Sequence, residues 1–202
     1  MDEIDQLISR QPVLASCFTE IKGAAQSLVD CFENGKKLLI CGNGGSAADC
    51  EHISGELIKR FSKSRPLPAQ IKEKLGPELS QNLHGGLPAI SLPSMIGFHT
   101  AFNNDNDPEY AFAQQVVAFG QPGDILLAIS TSGNSLNIIQ AARTAKALNQ
   151  IVISLTGENG GSLASIADHA ICAPAEDTPR VQEYHLPIYH AICTFVEDKM
   201  FP

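Results

Sequence analysis

Apolar residues recur at helical spacing through the first part of the chain: Ile4, Leu7 and Ile8, then Leu14, Phe18, Ile21, Ala25, Leu28, Val29 and Phe32. Residues 3–33 therefore predict helix, with Pro12 marking a start or a kink, and Asn34-Gly35 reads as the stop. Beyond it the pattern changes to short apolar runs separated by longer amphipathic stretches. Lys37–Cys41, Pro88–Leu92, Asp124–Ser130, Ile151–Leu155 and His169–Ala173 predict strands. Residues 46–62, 108–119, 134–148, 160–167 and 178–199 predict the helices between and after them. Short apolar strands alternating with helices are the mark of a parallel sheet covered on both faces. The helices at the two ends are extra to such a unit, and their apolar faces predict packing on each other or on a second subunit. Residues 62–87 are too long for an ordinary connection and read as a lid, an oligomer contact or an excursion.

The first predicted strand runs into a glycine-rich turn, LLICGNGGSAADCEHISGE over residues 38–56. Gly42, Gly44 and Ala47 fit the dinucleotide fingerprint G-x-G-x-x-A. That reading requires an acidic residue at the end of the next strand, where the chain has Ser91-Leu92, so it fails. No Gly-Lys-Ser/Thr follows the turn, which excludes a P-loop. A second loop, Ser130-Thr131-Ser132-Gly133-Asn134-Ser135, follows the third strand and enters a helix in the same way. In a flavodoxin-like sheet of order 2-1-3-4-5, strands 1 and 3 are neighbours at the point where the winding reverses, and ligands bind there. Two loops rich in serine and glycine at one crevice suit a phosphate dianion, with hydroxyls and helix N-terminal amides as donors.

Composition narrows the classes. The 202 residues are 44% hydrophobic and 18% charged, which predicts one globular domain spanning the chain. Fourteen Lys+Arg against 22 Asp+Glu leave a net charge of −8, which argues against a broad nucleic-acid-binding face. Six cysteines with no C-x-x-C pair sit mostly in apolar runs, as reduced buried thiols do. The acidic start MDEIDQLISRQ does not read as a signal peptide, and no apolar run approaches a membrane span. A cytoplasmic protein is the expectation.

Two further groups carry chemistry. His52 and Glu56 lie four apart, hence on one helix face near the crevice. Gln182, Glu183, His185 and His190 fall within nine residues of the otherwise apolar last helix, and helical geometry alone does not choose which of them face a site.

The loops GNGGSAADCEH and LLAISTSGNSLNII closely resemble those of the sugar isomerase (SIS) domain family, and within it the phosphoheptose isomerases. The resemblance covers about residues 38–198. It implies a flavodoxin-like doubly wound five-stranded fold with additional terminal helices. The activity implied is aldose–ketose isomerisation of sedoheptulose 7-phosphate to D-glycero-D-manno-heptose 7-phosphate through an enediol, in a pathway to surface heptose. It places the phosphate at Ser46, Ser130, Ser132 and Ser135 with the turn residues Gly44 and Gly45, and the sugar near Asn43 and Thr131. Arg60, Asp105, Thr178 and Gln182 match further substrate-binding positions, and Thr178 could also cap the last helix. The family's Q-E-x-H-x-x-x-x-H run is matched by Gln182, Glu183, His185 and His190, and the positions of His52, Glu56, Gln182 and His190 imply a Zn²⁺ site. Glu56 is then the candidate base and His190 its partner, while His185 is expected to pack.

Departures from the family pattern are Met95-Ile96 in place of an Asp-Thr/Ser pair, the longer 62–87 segment, and Pro187, expected to kink the last helix between Gln182 and His190. The alternative reading is a non-catalytic phosphosugar-binding or DnaA-initiator-associating protein of the same fold. Those relatives typically lack the counterparts of Glu56 and His190, and the related arabinose-phosphate isomerases and muramate-phosphate etherases are usually longer. The family also implies a homotetramer with sites near subunit contacts.

Overall fold

The structure, a computed structural model, describes all 202 residues. Five strands, β1 (Leu38–Gly42), β2 (Ala89–Ser91), β3 (Ile125–Ile129), β4 (Ile151–Thr156) and β5 (His169–Cys172), form one sheet. Their order is β2-β1-β3-β4-β5 and every pair is parallel, as the alternating pattern predicts. Strand side chains alternate between faces, so Leu38, Ile40, Ile125, Leu127 and Ile153 enter one core. Their neighbours Leu39, Cys41, Leu126, Ala128 and Val152 enter the other. Both faces are covered, which is why β1 and β3 are buried along their whole length.

The helices are α1 (Glu3–Arg10), α2 (Phe18–Glu33), α3 (Gly45–Ile58), α4 (Ala69–Asn82), α5 (Ile96–Asp105), α6 (Ala111–Phe119), α7 (Leu136–Ala147), α8 (Gly161–Ala164) and α9 (Thr178–Met200). A 3-10 turn over Pro12–Cys17 joins α1 to α2, with Pro12 at its first position. The larger core holds α1, α2, α3 and α9: Ile4, Leu14, Ile21 and Leu28 lie with Ile188, Ile192 and Val196 against one sheet face. The terminal helices therefore cover most of each other's apolar surface within one chain, leaving Val13 and Leu186 exposed. Further apolar side chains are exposed on α4 and α5, neither of which buries a residue.

Three elements differ from the sequence expectation. Helix α5 stands where the pattern showed none, because IGFHTAFNND has no apolar stripe facing a core. The helix expected over 160–167 shortens to the single turn α8. Pro187 removes one backbone donor, yet α9 runs unbroken from Thr178 to Met200. Buried residues on both sides of the proline, Val181, His185, Ile188 and Ile192, hold that helix to the sheet. Within 62–87, α4 contains the expected short helix but bends at Gly76, whose φ of 74° and extended ψ suit the residue before Pro77.

Candidate active site

In the parallel register Gly42 stands beside Ile129, so the loops leaving β1 and β3 begin side by side. They enclose a pocket of about 250 Å³ lined by Asn43, Gly44, Gly45, Ser46, Ser130, Thr131, Ser135, Thr178 and Gln182. Gly44 has a φ of 55°, which turns the chain sharply into α3. Neither α3 nor α7 has a side-chain cap, so the serines are not spent on helix ends. Ser46 and Ser130 are buried, and the Ser130 and Ser135 hydroxyls lie 3.1 Å apart at the pocket. Asn43 and Asn137 exchange two side-chain hydrogen bonds of 2.9 Å, which lock the first loop to α7. A side chain at position 45 would strike the Gln182 carboxamide, so Gly45 makes room for that group. The N-cap of α9 is Asp177, accepting from the Arg180 amide, rather than Thr178, which opens onto the pocket.

A second cluster lies farther along the same two helices. His52 and Glu56 follow Ser46 on α3 by about 9 and 15 Å of helix rise, and His190 follows Gln182 on α9 by about 12 Å. His52 Nε2 is 3.4 Å from His190 Nε2 and 3.4 Å from Glu56 Oε1. The other Glu56 oxygen takes an ion pair from Lys59 at 2.6 Å. Tyr189 places its hydroxyl 2.9 Å from His52 Nδ1 and 3.3 Å from Asp49, and so braces the imidazole from behind. Phe61 leans on the His190 ring at 5.3 Å between centroids. Burial, and then the neighbouring His52, push the His190 pKa below its usual value against the pull of Glu56, so the imidazole is neutral at neutral pH. Burial likewise raises Asp49, and burial and then Asp49 raise the Tyr189 phenol.

Signatures of the SIS domain match residues 2–83 and 98–193. A phosphoheptose isomerase of Aneurinibacillus thermoaerophilus is 40% identical over 181 residues, 90% of this chain and 82% of that protein. One from Laribacter hongkongensis is 41% identical over 197 residues, covering 96% and 91%. The chain belongs to the phosphoheptose isomerase family. Solved phosphoheptose isomerases from Neisseria gonorrhoeae and Francisella tularensis superpose on it with TM-scores of 0.74 and 0.75, at 33% and 32% identity. The first covers 94% of this chain and the second 96%. These relatives favour the isomerase reading and lend nothing to the initiator-associating alternative.

Within this phosphoheptose isomerase family member, three expected substrate residues lie outside the pocket. Ser132 accepts from the Asn134 amide at 3.2 Å and lines an adjacent groove with Glu158 and Asn159. Arg60 is exposed beyond the end of α3. Asp105 is exposed at the end of α5, where it accepts from Asn104. Gln182, expected to serve both substrate and metal, sits by the phosphate loops, and no hydrogen bond joins it to either histidine. His185 is fully buried and bonds the Thr156 carbonyl at 3.1 Å, the packing role expected of it. Met95 and Ile96 open α5, outside the pocket. Asp49, Tyr189, Phe61 and Asn137 went unnoticed in the sequence. Asp49 precedes His52 by three and so shares its helix face, the one local signal available.

The His52–His190 and His52–Glu56 separations of 3.4 Å are each about one edge of a tetrahedron around an ion bound at about 2.0–2.1 Å. No three His, Cys, Asp or Glu side chains converge closely enough to hold an ion, and the second oxygen of Glu56 is turned to Lys59. The donor types and the His52 spacings fit a zinc ion. Gln182 joins them only by leaving Gly45. No helix is long and apolar enough to cross a membrane.

Proposed function

We propose that this protein converts sedoheptulose 7-phosphate to D-glycero-D-manno-heptose 7-phosphate through an enediol. The observation that carries the reading is the shared layout of α3 and α9. Each passes the phosphate pocket, at Ser46 or Gln182, and between two and three turns later brings an acid–base group, Glu56 or His190, to within 3.4 Å of His52. A phosphate held at the loops then lays an extended seven-carbon chain along the helices, with C1 and C2 among these groups.

Glu56 takes the proton from the carbon beside the carbonyl and returns it to the neighbouring carbon. His190, neutral, moves a proton between the two oxygens. The Phe61 ring lies tilted against the His190 ring, 5.3 Å between centroids, and flanks it on one side. Zn²⁺ bound by His52, Glu56 and His190, with Gln182 as a fourth donor, would polarise the carbonyl and draw charge from the forming enediolate. Arg60 and Asp105 lie outside the phosphate pocket of their own chain, and the working form is proposed as a homotetramer in which subunits complete each other's sites. The compartment is the cytoplasm and the product feeds surface heptose.

The test is Glu56→Gln. Turnover of sedoheptulose 7-phosphate falls by at least ~10²–10⁴-fold, the usual worth of a general base, while sugar-phosphate binding by calorimetry persists. A variant that keeps turnover within tenfold of the parent, on the order of what a peripheral group is worth, would falsify the role of Glu56.

A further inference from the structure

Arg65 and Glu197 form an ion pair at 2.6 Å with no exposure of either side chain. Burying such a pair gains little over apolar side chains of the same volume, so stability alone does not explain it. Its contacts do. Arg65 Nη1 donates to the Leu57 carbonyl at 2.5 Å and Nη2 to the Glu56 carbonyl at 2.8 Å. These carbonyls belong to the last turn of α3, which has no partners for them within the helix.

Glu197 gathers the segment that follows α3. Its oxygens accept from the Phe61, Ser62 and Lys63 amides at 2.8, 2.8 and 3.1 Å, and from the Ser62 hydroxyl at 2.6 Å. Phe61, held by this carboxylate, is the ring that leans on His190. Glu197 itself lies seven residues beyond His190, hence on the same face of α9. The Arg65 carbonyl also accepts from the Gly85 amide at 2.8 Å, which closes the base of the α4 excursion at the same point.

We propose that Arg65 and Glu197 are positioning residues for the isomerisation. The pair clamps the end of α3 to α9 and, through the Glu56 backbone on one side and Phe61 on the other, sets where the Glu56 carboxylate and the His190 imidazole meet. This rests on the reading of Glu56 and His190 as the acid–base pair. It gives the 62–87 segment a task at its root, whatever its exposed tip contacts.

Two variants test it. Arg65→Lys keeps the charge but lacks the planar fork that reaches two carbonyls and a carboxylate together. Phe61→Leu keeps an apolar side chain in a half-buried place and removes the ring from His190, with Phe61→Tyr as the conservative control. Misplacement of catalytic groups by about 1 Å costs up to ~10²-fold. Arg65→Lys and Phe61→Leu are therefore expected to lower kcat about 10–100-fold. KM for sedoheptulose 7-phosphate should stay nearly constant, because the phosphate pocket lies at the far end of both helices. Phe61→Tyr retains turnover.

A purely structural pair would lower the melting temperature and leave kcat per folded molecule at the parent value, and that result overturns the proposal. Should Arg65→Lys fail to fold, the Phe61 variants decide alone. A crystal structure of the better-folded variant gives an arm independent of turnover. The His52–His190 and His52–Glu56 separations are expected to open, and unchanged separations overturn the clamp. If the parent does not isomerise the sugar but these separations open, the functional reading falls and the clamp stands.

Discussion

Five residues separate His185 from His190, and at 100° per residue that sends the two rings to different sides of α9. His185 goes inward, has no exposure, and its burial lowers its pKa to about 4 despite the bond to the Thr156 carbonyl. The unfolded chain takes up that proton near pH 6.5, whereas the native state resists until about 4. The stability from a neutral buried His185 is therefore complete above the unfolded pKa and is lost as pH falls through the folded one. Urea midpoints measured from pH 7.5 down to 4.5 should decline, and His185→Gln, which can still donate to Thr156, should flatten that decline. Parallel curves for the two proteins would contradict the assignment. Glu197 acts in a lower window. Burial would raise it, but its bonds from Ser62, Phe61 and Arg65 hold it at about 2, so its contribution is lost only as pH falls from the ordinary carboxylate range toward that value.

At the scale of elements, the two loops differ in what fixes them. Gly44 has a positive φ but open space around the position of a side chain, whereas Gly133, at φ 64°, would drive a Cβ into the Gly160 carbonyl. The β3–α7 loop is thus seated on the turn after β4, an attachment repeated by the Gly157 amide donating to Thr131 and the Leu163 amide to Gly133. Gly133→Ala is expected to cost roughly 1–3 kcal/mol in denaturant unfolding and to weaken phosphate binding with it. Ser130→Ala tests the clamp itself. Loss of a hydrogen bond to a charged group, about 1.5–3 kcal/mol, should raise KM some tenfold or more with kcat little changed. The strands were legible because each is a short apolar run, and the central β1 and β3 are buried along their whole length. Helix α5 was not, since without a buried face it leaves no period in the sequence.

For the molecule as a whole, the exposed apolar side chains decide the expectation of assembly. Ile96 is 74% exposed on a helix that buries nothing, and Ile71 and Leu79 on α4 and Leu83 just after it are exposed. Light scattering on the purified protein should give a mass that is a multiple of the single chain. Ile96→Asp should shift it toward the monomer and, if Asp105 serves a neighbouring site, reduce turnover together with assembly. A monomeric parent with full activity would remove the case for shared sites.

Sequence alone determined whatever depends on neighbours along the chain. Apolar runs set the strands, their alternation with helices set a parallel sheet, and helical spacing put His52 with Glu56 on one face. The phosphate loops were readable for the same reason, each being a local strand–turn–helix. Only the tertiary structure brought His190 to His52 across 138 positions, Asn43 to Asn137 across 94 and Arg65 to Glu197 across 132. The first and third follow from how α3 and α9 dock on one face of the sheet, and the second from how α7 docks on the other. Docking is the sum of many packing contacts in a shared core, which no local pattern encodes.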